Sequence, residues 1–184
     1  MNDIIYKPRS GEEVKKASGA PLHLYSDLCR DCEQYGVLQV LNNLFSQSLK
    51  HVILLQDPSN MRSGHWFSIS MNPKKHEIYF FSTYGGKPDR EKNDWVSDES
   101  LEKSDQDIDI FNDGLKQFQK QGWTIHYNDH KYQKEGDDTA TCGIYTAAFL
   151  RSGLNPDEFH KLVERVKATH DEDPAVVFYR KYFL

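Results

Sequence analysis

Three side chains in this sequence could do chemistry together: the thiol of Cys142, the imidazole of His65 and the hydroxyl of Ser82. Cys142 lies in Asp138-Thr139-Ala140-Thr141-Cys142-Gly143-Ile144-Tyr145-Thr146-Ala147-Ala148-Phe149-Leu150, at the apparent start of a short apolar helix. A helix N-terminus presents unpaired N–H groups and partial positive charge. Both favour the thiolate, the nucleophilic form of cysteine. The same N–H groups can hold the oxyanion that forms when a thiolate attacks a carbonyl. Taken alone, Cys142 equally reads as a small buried residue capping a core helix, and His65 as an ordinary strand histidine. Taken with Ser82 they match what a cysteine peptidase needs: a thiolate, an imidazole within reach, and a third group to orient the imidazole.

The elements that must position these groups can be read from periodicity and punctuation. Ser10-Gly11-Glu12-Glu13 has the form of a capping box before a helix over residues 12–17, which Ser18-Gly19-Ala20-Pro21 ends. Asp27 opens a helix predicted to run to about Ser48, with Leu28, Tyr35, Leu38, Leu41, Leu44 and Phe45 at helical spacing. Gly36 inside it is a weak point or a place of close packing. Residues 51–56 read as a buried strand and 57–60 as a turn. Residues 65–71 and 76–82 form a hairpin joined by Asn72-Pro73-Lys74-Lys75. A tight loop sets Met71 opposite His76, Ile69 opposite Ile78, Phe67 opposite Phe80, and His65 opposite Ser82. These share one face, and Trp66, Tyr79 and Phe81 share the other.

Residues 83–104 are polar and rich in turn formers, and read as an irregular surface connection. An amphipathic helix is expected over 105–121, stopped by Gly122, then a strand over 123–127 and a polar loop to Thr141. Asn155-Pro156-Asp157-Glu158 starts a helix to about Ala168, and Pro174 opens a last one carrying Val176, Val177, Phe178, Tyr179 and Tyr182. This order predicts an α+β fold, a mixed, mostly antiparallel sheet packed with helices. It forms one domain over 1–184, with 1–26 an N-terminal extension and 171–184 a C-terminal helix.

Composition narrows the function classes. The 184 residues are 38% hydrophobic and 28% charged, enough for one domain with a sizeable core. No apolar run reaches membrane-spanning length, and Met1 to Ser10 lacks the apolar core of a secretory signal. Three cysteines suit reduced thiols in an intracellular setting better than a disulfide framework. A net charge of −5 argues against broad nucleic-acid binding. Cys29-Arg30-Asp31-Cys32 has no second pair to complete a zinc site and no thioredoxin-like context, so it reads as two semi-buried helix thiols. The acidic run from Asp105 to Asp109 reads as a solvated helix start, not a metal site. No cofactor or metal is called for.

Gly64-His65-Trp66-Phe67-Ser68-Ile69-Ser70-Met71-Asn72-Pro73, then Ile78-Tyr79-Phe80-Phe81-Ser82-Thr83-Tyr84-Gly85-Gly86, then Thr141-Cys142-Gly143 occur in an order that resembles the adenovirus maturation protease family (adenain). They are similar also to its relatives in large DNA viruses and virophages, and more distantly to the proteases that remove SUMO and related modifiers. The resemblance implies a papain-like site in a different chain order, with Cys142 as nucleophile and His65 as base, then acid. The family's third member is an acid or asparagine at the end of the second hairpin strand, where this chain has Ser82. A hydroxyl can orient the imidazole but brings no negative charge. Asp89 or Thr83 could substitute if the loop folds back. The family's oxyanion glutamine corresponds to Gln133, displaced from Cys142 by a bulge within Glu135-Gly136-Asp137-Asp138. Trp66 is expected beside the catalytic pair, and Gly143 next to it in contact with substrate.

By that resemblance the protein is a viral cysteine endopeptidase, found in the virion or the infected cell. It would process capsid or scaffold precursors after small, Gly-type residues, with an activating peptide as an open possibility. The alternatives are a deconjugating protease for ubiquitin-like modifiers and an inactive binding module of the same fold.

Overall fold

A computed structural model describes residues 3–133 and 139–184, and at 61–63 the backbone alone. A single turn, α1 (Asp3–Tyr6), precedes α2 (Gly11–Ser18). The capping box is made as expected: Glu13 N–H donates to Ser10 Oγ at 3.2 Å, and Ser10 N–H donates to the Glu13 carboxylate at 2.7 Å. β1 (Leu22–Leu24) follows, too short to show a period in the sequence. The long helix predicted from Asp27 comes as two pieces, α3 (Tyr25–Tyr35) and α4 (Val37–Gln47). Gly36 between them has φ 82° and ψ 158°, a region essentially reserved for glycine, so the chain changes direction there.

β2 (Lys50–Asp57), β3 (Asn60–Asn72) and β4 (Glu77–Phe81) form the antiparallel centre of the sheet. The segment expected to be irregular contains α5 (Arg90–Trp95) and α6 (Asp98–Lys103). Then come α7 (Ile110–Lys120), β5 (Thr124–Tyr127), α8 (Cys142–Ser152), α9 (Pro156–Thr169) and α10 (Pro174–Tyr182). The five strands lie in the order β1-β2-β3-β4-β5, with the short edge strands β1 and β5 parallel to their neighbours. The fold is α+β, a mixed sheet with helices on both faces, as the order of elements predicted.

The β3–β4 register differs from the expected one. Asn72 pairs with Glu77, Met71 with Ile78 and Ile69 with Phe80, because the loop occupies residues 73–76 and His76 turns the chain with φ 58°. The slip is two residues, an even number, so every side chain keeps its predicted face. Phe67, Ile69, Ile78 and Phe80 pack with Ile53, Leu55 and α3, α4 and α7. Trp66, Tyr79 and Phe81 pack on the opposite face with α8, α9 and α10. The C-terminal helix is thereby docked on the body through Ala175 and Phe178.

The connection after β4 is not a surface loop. Asp89 is buried, with φ 63°, a left-handed conformation that aspartate tolerates. Its carboxylate accepts from the Tyr25 hydroxyl at 2.7 Å and from the N–H groups of Phe111 and Asn112 at 2.9 and 2.7 Å. It therefore caps α7 from outside. Buried Lys92 donates to Asp109 at 2.7 Å. These bonds explain why α7 starts at Ile110 and not at Asp105. Replacing Asp89 with alanine leaves two helix N–H groups without their acceptor and takes one bond from the Tyr25 hydroxyl, which keeps the Ile108 carbonyl at 2.6 Å, and urea unfolding should show a loss of about 3 kcal/mol. A loss within about 0.5 kcal/mol, the range of an ordinary surface change, would show that α5 is not anchored this way.

Candidate active site

The last paired residue of β4, Phe81, stands opposite Ser68, so β3 runs on past the end of β4. His65 lies on that overhang, still paired with Leu55 of β2. Cys142 is the first residue of α8, whose residues are buried without a break from Cys142 to Leu150. Such a helix belongs inside a core, with only its N-terminus free to meet a ligand. His65 and Cys142 line one cavity of about 200 Å³, together with Pro8, Trp66, Tyr84 and Gln133. The structure thus brings Cys142, His65, Trp66 and Gln133 to one cavity, while Ser82 and Gly143 are not among the residues that line it. Both the thiol and the imidazole are deep, at 8% exposure each.

The imidazole is fixed on one side only. Its Nε2 lies 2.9 Å from Ser82 Oγ, although register would set Ser82 across from Phe67 and not from His65. Ser82 follows the last residue of β4 and reaches diagonally. The Ser82 hydroxyl itself donates to Oε1 of Glu91, a buried carboxylate on α5. With that proton committed, Ser82 Oγ must accept from His65, so Nε2 carries the hydrogen and Nδ1 is the basic nitrogen. Nδ1 is buried and has no hydrogen-bond partner among the described residues. Tyr84 lies tilted beside the ring at a centroid distance of 4.5 Å, and Phe67 stacks on it at 6.5 Å. Neither Asp89 nor Thr83 takes the acidic place: Asp89 is spent on Tyr25 and α7, and Thr83 donates to Gln133.

Sequence reasoning missed Glu91 and Asn128. Glu91 sits 3.8 Å from His65 Nε2. Its only sequence signal was an Asp-x-Glu-Lys run, which normally marks a solvated surface. Asn128 is fully buried and donates to the Ser82 carbonyl at 2.7 Å and to the His130 carbonyl at 2.9 Å, tying the strand end to the loop that carries Gln133. Gln133 accepts from Thr83 at 3.1 Å and donates one amide N–H to the Thr139 carbonyl at 2.5 Å. The bulge invoked to explain its spacing lies outside the described residues. Trp66 covers the start of α8 and donates to the Arg9 carbonyl at 3.3 Å. Gly143 leaves room for it: a Cβ there would sit 2.9 Å from Val14 and 3.2 Å from Trp66.

Electrostatics differ from expectation. Burial pushes the Cys142 thiol up, and the N–H groups of Trp66, Gly143 and Cys142 offset this only in part. Burial also pushes the His65 imidazole down to about 3. The resting site is a neutral thiol beside a neutral base, not the preformed thiolate that helix position alone suggested, because desolvation outweighs the helix end. Cys29 and Cys32 are buried in α3 with thiols raised to about 12, and neither lines this cavity. Among the described residues, Asp129, His130 and Asp157 bring ligand-type atoms within 4.8 Å of one another, at the surface and away from the thiol.

No protein-family model matches this sequence, and neither does any curated protein sequence. Among solved structures, the chain is similar to the SUMO protease Ulp1 with its catalytic cysteine oxidised to a sulfinic acid. That match has 16% identity over 94% of this chain and 70% of the other, with a TM-score of 0.41. It is similar also to the C-terminal Ulp1 protease domain in complex with Smt3, the yeast ortholog of SUMO. Here identity is 15% over 94% and 69% of the two chains, with a TM-score of 0.37.

The buried imidazole makes a stability prediction. An unfolded histidine binds its proton near pH 6.5, whereas folded His65 does so near 3. Between those values the unfolded state holds more protons, so the contribution is complete above pH 6.5 and is lost as pH falls towards 3. Between pH 6.5 and 4.5 the wild type should lose about 2–3 kcal/mol more than His65→Gln in urea unfolding. Equal losses would mean that the ring is protonated in the folded protein.

Proposed function

We propose that this chain is a cysteine peptidase that cuts a protein backbone at a small residue. The observation that carries the reading is the shared cavity, lined by a helix-start cysteine and by an imidazole whose Nε2 is held and whose buried Nδ1 is unpaired among the described residues. As the Cys142 sulfur bonds to the substrate carbonyl carbon, its proton passes to His65 Nδ1. The carbonyl oxygen becomes an oxyanion beside the Cys142 N–H and the Gln133 amide, which has two N–H groups and gives one to Thr139. The imidazolium then protonates the departing amine. A water then attacks the resulting thioester and passes a proton to His65; the carbon–sulfur bond breaks, the acid leaves, and the imidazolium returns its proton to the Cys142 sulfur.

The cavity argues for the substrate. At about 200 Å³ it is smaller than the usual range for ligand pockets, and Trp66 and Tyr84 wall it. An extended chain with glycine or another small residue fits, and a bulky one does not. A second cavity of about 330 Å³, lined by Leu55, Pro58 and Trp95, continues on the far side of His65 and gives the chain somewhere to go. The resemblance to viral maturation proteases makes capsid or scaffold precursors in an infected cell the substrates we favour. A ubiquitin-like modifier ending in Gly-Gly meets the same steric demand.

Cys142→Ala should abolish cleavage of a Gly-containing precursor peptide, read by mass spectrometry; cleavage at the wild-type rate would end the peptidase reading. A ubiquitin-like modifier with a C-terminal electrophile separates the substrate classes. Covalent capture at Cys142 assigns the deconjugase activity, and no capture alongside active peptide cleavage assigns precursor processing.

A further inference from the structure

We propose that Glu91 supplies the negative charge of this site and acts on His65 through the Ser82 hydroxyl, so that the orienting group is a serine–glutamate pair drawn from two elements. The inference rests on the peptidase reading for its chemistry, but its geometry stands by itself. A serine at the strand end can hold the ring but cannot stabilise an imidazolium. Glu91 restores what the serine lacks. Its Oε1 accepts the Ser82 proton and lies 3.8 Å from His65 Nε2. Both carboxylate and hydroxyl are buried, at 4% and 0% exposure, so solvent does little to screen the interaction.

The surroundings are built to deliver this carboxylate. Buried Asp89 pins the start of α5 to Tyr25 and α7, and buried Lys92 pins the next turn to Asp109. Glu91 lies between these anchors and faces the other way, into the site. Arg90 donates to the Gly85 carbonyl at 3.2 Å, beside the loop that follows Ser82. Among the described residues, the groups that face His65 are Ser82 and Glu91 at Nε2, the Tyr84 and Phe67 rings at its sides, and Cys142 across the cavity.

The proton accounting is simple. When the Cys142 sulfur bonds to carbon, its proton moves to His65 Nδ1 and the ring becomes a cation. The Nε2–H stays on the ring and donates to Ser82 Oγ, and the Ser82 hydrogen stays on oxygen and donates to Glu91. No proton crosses to the carboxylate. Glu91 is a positioning residue: it sets the direction of both hydrogen bonds, and its charge stabilises the cation that forms only during reaction.

The test has two independent readouts. The first is the tautomer of His65, from imidazole nitrogen shifts of the full chain. Wild type should be Nε2–H. In Glu91→Gln the amide can donate to Ser82, which frees the serine proton to point at Nε2, so the ring should switch toward Nδ1–H. The second is hydrolysis of the Gly-containing peptide. Glu91→Gln should lower kcat roughly 10- to 100-fold with KM unchanged, because the lost stabilisation belongs to the transition state. Glu91→Gln should cost little more once Ser82 is alanine, since the relay is already cut. Placing the charge directly on the strand end, as Ser82→Asp with Glu91→Gln, should recover most of the rate, which a mere folding defect in Glu91→Gln would not allow. An unchanged tautomer, or additive losses in the double variant, overturns the relay. If wild type cleaves nothing while the tautomer still switches, the relay stands and the peptidase reading falls.

Discussion

The alternation of side chains along β3 is the constraint on which the rest of the site depends. Neighbouring residues of a strand point to opposite faces. His65 therefore shares the face of Phe67 and Ile69, while Trp66 shares the face of Tyr79 and Phe81. Cys142 arrives with a helix packed on the second of these faces. A sheet would normally keep the two apart. They line one cavity because β4 ends at Phe81 and leaves the outer part of β3 without a neighbour on that side. The shortness of β4 thus makes the site possible, and the serine that ends it holds the ring in place.

Around that opening, orientation and charge are supplied by different parts of the chain. The strand end supplies a hydroxyl, and a helix nine residues on supplies a carboxylate. Burial keeps the resting pair neutral, with the thiol raised and the imidazole depressed. The charge beside the resting imidazole is then that of Glu91, with no cation on the ring to answer it. On the peptidase reading that charge matters most in the transition state, where the imidazolium forms. Each unpaired group in a low-dielectric interior is costly. Asn128 and Gln133 limit that cost by bonding to the Ser82 carbonyl, Thr83 and Thr139, which leaves His65 Nδ1 as the atom of the ring without a partner among the described residues.

Periodicity made much of this legible. The period of two across residues 65–82 assigned both faces of the hairpin correctly even though the loop was misplaced, since an even slip leaves faces unchanged. The apolar run after Thr141 correctly put Cys142 at a helix start, and capping residues marked α2 and α9. What escaped was what only tertiary structure decides. Gly36 fits a helical pattern until its ψ is known. Residues 83–104 have the composition of a surface loop, and the burial of Asp89, Glu91 and Lys92 depends on partners distant in sequence: Tyr25, Ser82 and Asp109. The charge state of Cys142 was misjudged for the same reason, because desolvation is a property of the finished fold.

The way the N-terminal segment is tied in has a consequence for the life of the polypeptide. Ala140 N–H donates to the Ile5 carbonyl at 2.6 Å, Trp66 reaches the Arg9 carbonyl, and Arg151 donates to the Ala17 carbonyl at 2.7 Å. Residues 5–17 are thus held by residues 66, 140 and 151, far along the chain. A nascent chain carries His65, Ser82 and Glu91 before residue 142 has been made, and it can seat none of them against a sulfur. Contacts of such long sequence separation are slow to form, so the cavity is assembled only after α8 has been added.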